Sequence, residues 1–205
     1  MNSNTPQGIV EDRALGAVGG NLAATWREFV AGMHFLLRYG RHNTADNRAI
    51  ACDNLRLLHH ALQKDSGYRR LLKAACAESA SQSVPTSRNL VHDATLQADV
   101  VSLPAGCHLG ISDQDGRFTL LLLLAGEAVR PLPALHSERR SWWRPGSDGQ
   151  PSQRLRNGEA LIAPRTLTHL IAAAKGCVVL RVCLPLSQEA TAGEQSRLYL
   201  RKTCP

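Results

Sequence analysis

Two side chains in this chain of 205 residues stand in surroundings that suggest chemistry, Arg88 and His169. Arg88 lies in Ser87-Arg88-Asn89-Leu90-Val91, at the head of a half built from short apolar runs. The planar donors of a guanidinium meet both oxygens of a carboxylate at once, whether that carboxylate belongs to a ligand or to an internal ion pair. The plainer reading is a solvated arginine on a strand edge, its stem laid along apolar surface. His169 closes the stretch from Gly158 through Pro164. Gly158 can turn into a strand, Pro164 ends that strand, and His169 then begins the next one, pointing inward. An inward imidazole can be a base or a metal ligand; with no partner it is a hydrogen-bonded core histidine.

The remaining candidates are weaker. His59 and His60 are adjacent on a helical pattern, where neighbours point about 100° apart, so they cannot chelate one ion. The cysteines Cys52, Cys76, Cys107, Cys177, Cys183 and Cys204 are widely spaced with no Cys-x-x-Cys pair, which argues against an all-cysteine zinc site and suits reduced, mostly buried thiols. Dinucleotide, Walker, nucleophile-elbow and His-Glu-x-x-His motifs do not occur. Trp142 and Trp143, in a polar stretch rich in Gly and Pro, could anchor a protein partner or cover the fold. The net charge of +7 raises a nucleic-acid reading. The basic residues are dispersed, however, with no long run, no zinc-finger spacing and few aromatics, so a solvated basic surface is expected instead.

These residues must be held by two kinds of element. Residues 1–20, rich in Asn, Gly, Ser and Ala, read as a flexible lead-in. From Asn21, Leu22, Trp26, Phe29, Val30, Met33 and Leu37 recur at helical intervals up to Gly40. A second helix begins near Thr44 or Asp46 with Ile50, Leu55, Leu58, Ala61 and Leu62 on its apolar face, and a third runs from about Tyr68 to Ala80. After a Ser-rich break the period changes. Residues 98–103, 119–124, 160–162 and 178–184 read as short strands, several buried on both faces, and 131–153 as a long loop or hairpin. The expected class is α+β, with a helical segment (21–86) packed on an antiparallel β-barrel (87–190) and a tail (191–205). The longest apolar run, Leu120 to Ala125, is too short to cross a bilayer, and Met1 to Gly8 lacks a signal-peptide pattern, so the cytoplasm is expected.

Three segments together resemble the cysteine dioxygenase family of cupins. Ser87-Arg88-Asn89-Leu90-Val91 resembles the family's Thr-Arg-Asn-Leu-Val opening. Gly158 to His169 resembles the second cupin motif, with Thr166 and Ala173 where the family has a glycine and an asparagine. Gly110 to Gly126 resembles the first motif. The resemblance, over about residues 87–185, implies a cupin barrel in which Arg88 holds a substrate carboxylate and His169 is a metal ligand. It also implies loss: the two other iron-binding histidines fall on Ser112 and Gln114, and the cysteine that some members cross-link falls on Thr119. Arg181 stands for a histidine beside the site, and Cys183 for the catalytic tyrosine. One histidine with a serine and a glutamine is a poor ligand set for ferrous iron. A register shift of one residue would bring Asp113 and Asp115 to those positions instead. With His169, and with His108 swung in from the preceding strand, they would make a weak site for a divalent metal such as iron; otherwise Asp-Gln-Asp-Gly is a turn.

The expectation is a cysteine-dioxygenase-like cupin without the three-histidine iron site and without a tightly bound cofactor. It would bind a small amino acid, carboxylate or thiol through Arg88, His169, Thr119, Cys183 and Arg181, or act as an accessory protein. Two alternatives stand beside it: a thiol or amino-acid dioxygenase with a rebuilt metal site, and a regulatory subunit using its basic surface to meet a protein partner.

Overall fold

The computed structural model describes residues 20–38, 44–92, 95–111, 117–131, 152–163 and 168–185. Among these residues three helices come first: α1 (Gly20–Arg38), α2 (Ala45–Leu62) and α3 (Ser66–Ser81). Each follows its apolar stripe. Trp26, Phe29, Met33, Leu36 and Leu37 of α1 are buried, as are Ala51, Leu55, Leu58 and Leu62 of α2 and Tyr68, Leu71 and Ala75 of α3. Side-chain caps fix two of the starts. Thr44 accepts from the Asn47 amide and Asp65 from the Tyr68 amide, each satisfying an amide that the first turn leaves open. The third helix therefore starts two residues earlier than the apolar pattern suggests. Ile50, expected on the buried face of α2, is 46% exposed, because the buried stripe runs through Ala51 one position on.

Among the described residues seven antiparallel strands follow: β1 (Thr86–His92), β2 (Gln97–Leu103), β3 (His108–Ile111), β4 (Arg117–Pro131), β5 (Ser152–Arg156), β6 (Ala160–Ile162) and β7 (Thr168–Pro185). They form one sheet in the order β1-β2-β7-β4-β5, with β3 on β7 and β6 on β4. The expected barrel is not closed among the described residues. Instead the two long strands, β4 and β7, each serve two sets of neighbours. The C-terminal half of β7 pairs with β2 and its N-terminal half with β3; the N-terminal half of β4 pairs with β6 and its C-terminal half with β5. Two register shifts in the β4–β7 ladder, after Leu123 and after Gly126, bend the pair between these halves.

Gly126 and Gly176 make that bend. Both have positive φ, at 80° and 72°. A Cβ on Gly126 would run into the Gly176 carbonyl oxygen, and one on Gly176 into the Ser79 and Leu103 carbonyl oxygens. Only glycine allows both the backbone angle and the close approach.

The bend gives the sheet an inner and an outer face. Val101, Leu103, Leu121, Leu123, Ala128, Leu155, Leu170, Ala172 and Val179, drawn from both halves, pack together as one buried cluster on the inner face. The alternate residues Ala98, Val100, Leu120, Leu122, Val178, Leu180 and Val182 turn outward from the first half and pack under the three helices. Both faces of β2, of the first half of β4 and of the second half of β7 are thus buried, which is why these segments read as continuous apolar runs.

Candidate functional site

The inner face is apolar over most of its length and polar at one end. Across β2, β7 and β4, Val101, Val179 and Leu123 form one inward row. The next row holds Asp99, Arg181 and Leu121, and the next Gln97, Cys183 and Thr119. In an antiparallel ladder, directly paired residues share a face, so these polar side chains project to the same side as the inner core. Asp99 and Arg181 form a two-pronged ion pair, Nε donating to Oδ1 at 2.9 Å and Nη2 to Oδ2 at 2.5 Å. Asp99 has 2% of its side chain exposed and Arg181 29%. A buried carboxylate in the middle of an apolar strand would be costly alone; the guanidinium opposite satisfies both oxygens. The hydrogen bond from Arg181 to Asp99 raises the arginine's already high pKa, a gain larger than the opposing effect of burial.

The neighbouring row is lightly bonded. Thr119 Oγ1 donates to Cys183 Sγ at 3.5 Å, and the exposed Arg117 donates to Gln97 Oε1 at 2.7 Å. Arg117 is thus held by a neutral amide, and its charge is not cancelled by that contact. Arg181 keeps Nη1 outside its two bonds to Asp99. The end of the inner face carries a cation braced by a buried carboxylate, a second cation at the rim, a half-buried thiol and a hydroxyl. That set can receive a small carboxylate, but it presents no strong base and no metal-ligand cluster.

Two expectations about the site are corrected here. Arg88 does not project inward. It pairs with Val100, whose side chain packs under the helices, so Arg88 lies on the helix-facing side and forms an ion pair with Glu78 of α3. Thr86 Oγ1 donates to the same carboxylate at 2.9 Å. Burial pushes the Glu78 carboxyl up, but the bonds from Arg88 and Thr86 and the arginine's charge outweigh it and leave the group below its ordinary value. His169 does not project inward either. Its neighbour Leu170 is 1% exposed in the inner cluster, so His169 faces out and is exposed. His108, exposed on β3, lies on that outer side too. Arg88 and His169 therefore share no inner cavity; one is committed to a helix and the other to the surface.

Of the residues expected around a ligand, the structure brings together Arg181, Cys183 and Thr119. Asp113, Asp115, Ser112 and Gln114 lie outside the described residues, as do Trp142, Trp143 and Cys204. The sequence reading missed Asp99, Gln97 and Arg117. A signal for the first was present, since Asp99 interrupts Ala98-Asp99-Val100-Val101 and Arg181 interrupts Val179-Leu180-Arg181-Val182. A charge inside a strand buried on both faces requires a partner, and each is the other's natural one.

Among the described residues, the side chains do not fit the iron that the dioxygenase resemblance implies. His169 points away from the inner face, and the inward positions hold a mutually satisfied Arg–Asp pair, a threonine and a cysteine. Among the described residues no three His, Cys, Asp or Glu side chains cluster as metal ligands would.

No protein-family model and no curated protein matches this chain. Among solved structures, it is similar to KdgF from Halomonas sp., with 16% identity over 51% of this chain and 83% of that one, at a TM-score of 0.37. It is also similar to a cupin superfamily protein from Desulfitobacterium hafniense, with 20% identity over 54% and 86% and a TM-score of 0.38. A third likeness is to the Cnp3 cupin domain of Schizosaccharomyces pombe, with 15% identity over 54% and 70% and a TM-score of 0.39. The neighbours named as cupins are distant, and none brings a function with it; the narrower likeness to cysteine dioxygenases rests on the sequence motifs.

Proposed function

We propose that this protein is a cupin-like ligand-binding or accessory protein that takes a small carboxylate, an amino acid or a thiol-bearing acid, at the polar end of its inner sheet face, without dioxygenase chemistry. The observation that carries this reading is the Asp99–Arg181 pair on that face, with a rim cation, Arg117 of β4, bonded to Gln97 at the end of β2. Asp99 fixes the guanidinium and leaves Nη1 to meet a carboxylate, a planar recognition that a lysine would not reproduce. The adjoining inward residues Leu121, Val179 and Val101 offer an apolar wall for a short side chain, and Thr119 and Cys183 offer weak polar contacts. This arrangement orients and holds; it has no group poised to abstract a proton or activate oxygen.

Isothermal titration with L-cysteine, L-serine, propionate and propylamine tests it. The carboxylates are expected to bind and propylamine not to. Arg117→Gln, which removes an exposed charge without touching the core, should weaken carboxylate binding, and Arg181→Lys should weaken it at least tenfold. Equal binding of propylamine and propionate, or carboxylate binding unchanged in both variants, would sink the proposal.

A further inference from the structure

We propose that His108 and His169 form a two-imidazole site for a late first-row transition-metal ion on the outer face of the sheet. It is separate from the inner-face site and does not depend on the ligand proposed for it.

The two residues come from neighbouring strands. In the β3–β7 ladder His108 pairs with Ile171 and Gly110 with His169, so the histidines are diagonal neighbours on one face. Diagonal neighbours in such a ladder are within reach of long or aromatic side chains. Gly110, directly across from His169, carries no side chain to separate the rings. The ring centroids lie 6.0 Å apart with the planes at 85°. Metal–imidazole bonds of about 2 Å to one ion would bring two adjacent ring centroids to about 4.5–5 Å. The observed gap closes with a modest rotation of the side chains. Both are exposed, so that rotation meets no packed core.

The chemistry follows from the donor set. Two neutral imidazole nitrogens on a rigid ladder favour Cu2+ over Ni2+ and Zn2+ and offer little to Mg2+ or Ca2+, which prefer oxygen. Two protein ligands leave the other positions of the ion to water. The competing account is an edge-to-face ring contact with no ligand, and the experiment separates the two.

Chelator-stripped full-length protein is titrated with CuCl2 calorimetrically, and the copper-loaded protein is examined by electron paramagnetic resonance. The expected result is one site, weakened at least tenfold by His108→Asn and by His169→Asn alike, unchanged by the exposed control His60→Asn, with hyperfine structure from two nitrogens. Because both rings are exposed, the variants should unfold at the wild-type temperature without metal, while copper raises the midpoint of the wild type and of His60→Asn but not of His108→Asn or His169→Asn. Copper binding unchanged in both variants, weakened in only one of them, or absent from the wild type would overturn the proposal.

Discussion

Removing Arg181 should damage this protein more than removing Asp99, although they belong to one ion pair. The asymmetry comes from where each partner is left. Arg181→Met strands a carboxylate with 2% of its side chain exposed, whereas Asp99→Leu strands a guanidinium with 29% exposed that can turn toward water. Breaking a buried pair by deleting one partner costs about 3–5 kcal/mol. Arg181→Met should fall near the low end of that range, at about 3 kcal/mol. Asp99→Leu should cost less, about 1–2 kcal/mol, because the stranded arginine is partly solvated. For a chain of this size each kcal/mol moves the melting midpoint by about 2–4 °C, giving losses of about 6–12 °C and 2–8 °C. The double variant, which buries no charge, should recover at least about 1 kcal/mol relative to the sum of the singles. Urea unfolding of the four proteins closes the cycle. Refutation would be Arg181→Met within about 0.5 kcal/mol of wild type, or Asp99→Leu the more damaging of the two.

Three further outcomes are expected. Gly176→Ala should destabilise by more than about 3 kcal/mol, combining left-handed backbone strain with a clash against the Ser79 carbonyl, while Gly106→Ala, with similar φ but open space around it, should cost only about 1–2 kcal/mol; thermal unfolding of both compares them. Against the upward effect of burial, Glu78 is held below its ordinary value by Arg88 and then Thr86, so its contribution is present above about pH 4.3 and is lost as pH falls through the lowered value. Arg88→Met should therefore flatten the acid limb of stability below about pH 5, by at most about 1 kcal/mol since Arg88 is 36% exposed, as read by urea midpoints from pH 3 to 7. Burial pushes the Cys177 thiol up to about 12, so iodoacetamide at pH 8 should leave it unmodified in the native protein and label it only after denaturation, by peptide mass mapping.

The helices were legible because each carries an apolar stripe at the helical period, and Thr44 was legible as the cap of α2. Asp65 was not, since it precedes Ser66-Gly67, residues that give no helical signal of their own. The buried strand cores were equally clear. What the sequence concealed was strand length. The polar end of β4 looks like a loop, and the strand that begins at His169 does not read as continuous with 178–184, until the bend at Gly126 and Gly176 pairs these ends with β5 and β3. β3 and β5 were lost with them, being short and only partly apolar. The same parity problem hid the site. Motif resemblance points Arg88 inward, and the Gly158–Pro164 pattern does the same for His169, but a one-residue change of parity sends a strand side chain to the opposite face, and the pairings with Val100 and Gly110 put both outside. Arg181, Cys183 and Thr119 kept the inward parity. Their companion Asp99 is hidden in the sequence because a single charge inside Ala98–Leu103 leaves the run apolar on average.

The most direct test of the central reading is oxygen consumption. Purified protein, supplied with ferrous iron and offered cysteine and homologous thiol acids, is followed with an oxygen electrode against an iron-only blank. Uptake at the blank rate is expected, since His169 lies outside the inner face and Arg181 and Asp99 satisfy each other within it. Sustained, iron-dependent uptake that His169→Ala abolishes would contradict it and show a working dioxygenase.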